Sequence, residues 1–153
     1  MNAFARIAYT AIIAAALYGF VNINAPTIEG KLFPVAVATE YDIEADGIDH
    51  ISLSGVMEKY RECDFLTMKA YIYSIRTGQR VLAQVDVKET IKLRPEGSFP
   101  WGDWRLFTDY LKITAGDLGL EVITTHQCHP LWVTETTFLD TRVTNVIDEQ
   151  RNK

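Results

Sequence analysis

The sequence predicts an all-β domain held behind an N-terminal apolar helix. Three observations lead there. Period-two alternation of apolar and polar residues recurs after Asn24, long helical periodicity is missing from that region, and a charge-free apolar run precedes it. The chain has 153 residues, 48% of them hydrophobic and 23% charged, which is an ordinary globular balance and enough for one sizeable core. A formal net charge of −5 repels phosphate and leaves few cations for counterion release, so nucleic acid is not expected as a partner. No block of like charge, low-complexity tract or internal repeat interrupts the chain.

The apolar run comes first. Arg6 and the amino terminus supply the only positive charge before Ile7, and from Ile7 to Ile23 no side chain ionises except the phenols of Tyr9 and Tyr18. A secretory signal core takes roughly 7 to 15 apolar residues and a spanning helix about 17 or more, so length alone leaves both open. Small residues at Ala14 and Ala16 suit signal peptidase, but cleavage there leaves Leu17 to Val21 on the mature end. Cleavage after Ala25 meets Pro26, a poor context. An uncleaved signal-anchor over residues 1–25 is therefore expected, with Arg6 retained in the cytoplasm and the domain exported. Apolar residues lie all round this segment, which argues against the core helix of a soluble protein.

A β-domain is expected over residues 26–146, followed by a polar tail at 147–153. Val81, Ala83, Val85 and Val87 share one face of a strand, and Gln84, Asp86 and Lys88 share the other. The preceding strand, Leu66 to Ile75, reaches it through Arg76-Thr77-Gly78-Gln79, a polar connection with the glycine that a hairpin needs. Further strands are expected at about Phe33–Ile43, Ile48–Tyr60, Leu106–Ile113, Leu118–Gln127 and Leu131–Phe138. Pro95, Gly97, Pro100 and Gly102 suggest an extended loop.

Two cysteines in an exported chain pair, because the compartment is oxidising. A Cys63–Cys128 disulfide is expected. Its spacing resembles the inter-sheet bridge of immunoglobulin domains, which implies an immunoglobulin-like antiparallel β-sandwich of about seven strands. The likeness is one of architecture: Tyr71 and Tyr73 stand where those domains carry a Trp, and His126 replaces the Tyr two residues before the second cysteine. The segment His126-Gln-Cys-His-Pro-Leu-Trp132, followed by Thr134 and Thr136, also resembles a motif of small proteins encoded by tailed phages. That resemblance implies a phage or prophage origin and no particular activity.

Several groups are candidates for chemistry. His126, Cys128 and His129 are the densest set of possible zinc ligands, but a strand turns His126 and Cys128 to one face and His129 to the other, and a disulfide removes the sulfur. Asp42, Glu44 and Asp46 alternate ahead of Gly47 as carboxylates do in a calcium loop, although Leu53 occupies the position of the bidentate Glu. Phe99, Trp101, Trp104 and Phe107 form an aromatic loop that binds a partner or plugs the sandwich. Glu121 and Glu135 are carboxylates that a sheet can bring together. No nucleophile elbow, phosphate loop, dinucleotide fingerprint or metalloprotease motif is present. The expectation is a non-enzymatic, cofactor-free, membrane-tethered domain on the periplasmic or extracellular side that binds a protein or envelope component. A phage structural or assembly component, and a calcium- or zinc-dependent binding or hydrolytic domain, are the alternatives.

Overall fold

The computed structural model describes residues 3–45, 50–87, 95–107 and 118–143. The first element, α1 (Ala3–Leu32), passes through Pro26 and continues beyond the expected end at residue 25. Proline removes one intrahelical hydrogen bond; docking of Glu29 and Gly30 on the β-domain holds the last turns in place. The helix is about 45 Å long at 1.5 Å per residue. Its polar side chains turn back on the helix: Thr10 donates to the Arg6 carbonyl, Asn22 to Tyr18 and Asn24 to Phe20. The most apolar eighteen residues within Ala5–Leu32 are not buried by the fold, unlike a soluble core helix, and Gly30 near the end is where the helix is buried against the domain.

Among the described residues seven strands follow: β1 (Ala36–Ala45), β2 (His50–Lys59), β3 (Asp64–Ser74), β4 (Arg80–Val87), β5 (Gly97–Phe107), β6 (Leu118–Gln127) and β7 (Thr134–Arg142). All pairings are antiparallel, in the order β1-β2-β5-β4-β3-β6-β7. The strand β4 joins two halves. Its first half, Arg80 to Ala83, pairs with β3, and its second half, Gln84 to Val87, pairs with β5. A strand that changes partners midway turns the corner between packed layers. The two outer strands then meet, with the Tyr41 hydroxyl 2.8 Å from Thr141 Oγ1, and just ahead of β1 the Val35 backbone amide donates to Thr136 Oγ1. The sheet is nearly closed.

The fold class is as expected, an antiparallel β-domain behind an apolar helix. The strands run as one continuous sheet through β4, and the disulfide is not the inter-sheet bridge of an immunoglobulin domain. Cys63 and Cys128 flank the Asp64–Gln127 pair of the adjacent strands β3 and β6, with Cα atoms 4.7 Å apart, so the bridge staples neighbours within one half instead of crossing the core.

The hairpin between β3 and β4 forms at the expected place, with Gly78 at φ 70° and its amide bonded to the Ser74 carbonyl. The expected loop around Pro100 is instead the strand β5. Proline stands there opposite Val56 of β2, in a register that runs from Gly97 against Lys59 to Phe107 against His50. Of the expected strand Leu106–Ile113, Leu106 and Phe107 end β5; residues 108–113 lie outside the described residues, as do Asp46 and the tail 147–153.

Bulges aim the core. Between Trp101 and Trp104 two β5 residues, Gly102 and Asp103, oppose the single Ser54, which resets the alternation so that both indoles face inward. Each is 4% exposed, and with Phe138 they form a triangle of rings with centroids 4.5 to 5.3 Å apart. Phe138 is itself the extra residue of a bulge in β7. Ile51, Leu53, Ile72, Leu106, Leu118 and Leu120 complete the centre. Each such side chain contributes about 1.5–3 kcal/mol on burial.

Candidate functional site

The feature that most distinguishes this domain is the junction where α1 meets it. Glu29 is the first ionisable side chain after Tyr18 and the first charged one after Arg6. Its carboxylate accepts from three elements: Oε1 from Arg61 Nη2 at 2.8 Å, and Oε2 from Trp132 Nε1 at 2.7 Å and Thr134 Oγ1 at 3.0 Å. Arg61 also donates to the Phe33 carbonyl at 3.1 Å. Beside Glu29, Gly30 lies directly on β7; a Cβ there would overlap the Glu135 carbonyl, so only glycine permits this approach. The next loop is ordered by stacking, with the His129 and Trp132 rings 4.0 Å apart and 12° from parallel. The Leu131 amide donates to His129 Nδ1, and Gln127 donates to the His129 and Trp132 carbonyls. The bonds to the Glu29 carboxylate are charge-assisted, and such bonds are roughly twice as strong as neutral ones. The arrangement is a latch with its carboxylate oxygens occupied.

A second polar cluster lies at the opposite end of the same strands. Arg80 pairs with Glu121 and sits over the rings of Tyr71 and Tyr73, 5.2 and 5.9 Å from their centroids. The Tyr73 hydroxyl donates to Asp140 Oδ1 at 2.9 Å, and that bond, with burial, raises its pKa. The Tyr73 ring covers Gly119, its cross-strand partner. Tyr73, Gly78, Arg80, Glu121 and Asp140 line a shallow cleft of about 230 Å³.

The expected sites fare differently. Trp101 and Trp104 are core residues, so they offer no binding face; Phe99 and Phe107 are half-buried on the same strand. Both cysteines are in the disulfide, which removes Cys128 as a zinc ligand. His126 is 5% exposed inside the domain, edge-on to Phe65 at 5.6 Å, whereas His129 stacks in the outer loop. Burial, reinforced by the nearby Lys59 charge, lowers the His126 pKa to about 4. Its Nδ1 has no hydrogen-bond partner. Among the described residues no three His, Cys, Asp or Glu side chains converge as a metal site. Asp42 and Glu44 lie on β1, and Asp46 is outside the described residues. Glu121 pairs with Asp140 and Glu135 with Thr125, so Glu121 and Glu135 do not meet as cross-strand partners.

Sequence reasoning missed the latch. Its one signal was an isolated carboxylate closing a long uncharged run, but partners 32 and more than 100 residues away carry no local pattern. Comparison with family models, with curated proteins and with solved structures found no match, so the fold and the latch are the grounds on which function is argued.

Proposed function

We propose that this protein is a non-enzymatic, membrane-tethered domain outside the cytoplasm that binds a protein or envelope component. The observation that carries the reading is α1, whose apolar surface is left unburied by the fold it is latched to. Exposed apolar area of that extent calls for lipid or apolar partner helices. The disulfide fits a non-reducing compartment. The surface best suited to a partner is the patch of Arg80, Tyr71 and Tyr73, because arginine and tyrosine dominate binding hot spots and this patch lies at the end of the domain away from the helix. The polar groups of the latch and of the Arg80 cluster are engaged with one another, which favours binding over catalysis.

The test is fractionation of the full chain expressed in a Gram-negative host, with thiol labelling before and after reduction. A protein that resists alkaline extraction from membranes and labels only after reduction supports the tethered, exported reading. A soluble protein with two reactive thiols overturns it. A second reading, a phage particle component, draws on the resemblance carried by residues 126–132, of which Trp132 belongs to the latch. In that case α1 packs on partner helices, and the chain co-sediments with virions.

A further inference from the structure

We propose that the loop His129 to Trp132, together with Phe33, is a foot that enters the lipid interface, so that the domain is seated on the bilayer at a fixed angle instead of swinging on a tether. This rests on the tethered reading above.

The argument begins with length. From Ile7 to Ile28 no side chain carries a charge, and those 22 residues span about 33 Å as helix, close to the roughly 30 Å of a hydrocarbon core. Glu29 then falls at the exit boundary. A carboxylate there must be paired, and it is, by Arg61, Trp132 and Thr134. The latch therefore leaves no spacer between the end of the span and the start of the domain. The helix itself suits lipid, because the amides of Asn22 and Asn24 each bond to a carbonyl one turn back.

Depth follows from the latch. Trp132 and Phe33 line an open apolar cleft of about 340 Å³ whose other wall is α1, with Phe20, Val21 and Ile28 among its residues. Phe20 lies nine residues before Glu29, about 13 Å along the helix axis and thus inside the hydrocarbon. A cleft that shares a wall with lipid-facing helix is open to lipid. Beside it Leu131 is 68% exposed, Leu32 67% and Phe33 62%, without apolar cover from the domain. An indole that keeps its N–H bonded while its ring faces apolar surroundings is the usual occupant of a membrane–water boundary. Continuity with the span selects lipid over a second protein as the occupant.

The experiment is Trp fluorescence of the full chain reconstituted in phosphatidylcholine vesicles brominated either near the glycerol or near the methyl end of the acyl chains. Trp101 and Trp104 are core residues, so Trp132 is the reporter, and W132F subtracts its signal. The expected result is that the chain floats with the vesicles and the Trp132 component is lost with shallow bromines more than with deep ones. Leu131→Trp, at an exposed position, must add a second quenched component even if W132F folds poorly. A chain that floats while neither indole is quenched overturns the foot and leaves the tether standing; a protein partner or second copy covering the loop gives that outcome. A chain that does not float overturns both.

Discussion

Among single residues, His126 carries a clear titration signature. Its folded pKa of about 4 lies below the ordinary 6.5, so the unfolded chain binds the proton first as pH falls. Stability contributed by the neutral imidazole is present above pH 6.5 and is lost progressively down to about pH 4. The size of the loss is about 3 kcal/mol, and thermal melts across that range should show it in the native protein and not in His126→Gln. Trp104→Ala should cost about 3–5 kcal/mol in denaturant unfolding, since it empties one corner of the indole and Phe138 triangle. Alternation alone gives no reason to place both tryptophans inside, because residues three apart fall on opposite faces of a regular strand. The bulge at Gly102 and Asp103 reverses that, and its two-against-one register depends on a partner strand nearly fifty residues away in sequence.

For the elements, the latch is the test case. Gly30→Val should lift α1 from β7 while leaving the sheet intact, seen as faster proteolysis near residues 28–35 with an unchanged domain core. Glu29→Ala should weaken the same junction by about 1–3 kcal/mol, because it leaves Arg61, Trp132 and Thr134 without their shared acceptor. The strands on either side were legible for different reasons. In β4 the inward set Val81, Ala83, Val85 and Val87 alternates cleanly, and Gly78 marks the turn before it. In β5 Pro100 and two glycines around the aromatic residues, with Pro95 just before, read as punctuation; what makes a strand of it is its register with β2, a property of the neighbour. The helix runs on past Pro26 for the same kind of reason, since the proline removes one hydrogen bond and the compensating contacts come from β7.

As a whole molecule, the domain should depend on its disulfide to a degree set by chain entropy. Closing 65 residues contributes up to about 4 kcal/mol in that account, and the denaturant midpoint should fall accordingly on reduction or in a Cys63→Ser, Cys128→Ser double variant. The pairing was legible from cysteine count and address, but its position was not: the spacing suited a bridge across the core equally well, and only the β3–β6 register shows it to be lateral. The latch also sets an order of events during synthesis. The ribosome delivers Glu29 105 residues before Thr134, and α1 touches chiefly β7, the last of the described strands. The helix must therefore wait, undocked, until β7 has emerged, so a message truncated before β7 yields a product whose helix never finds its seat.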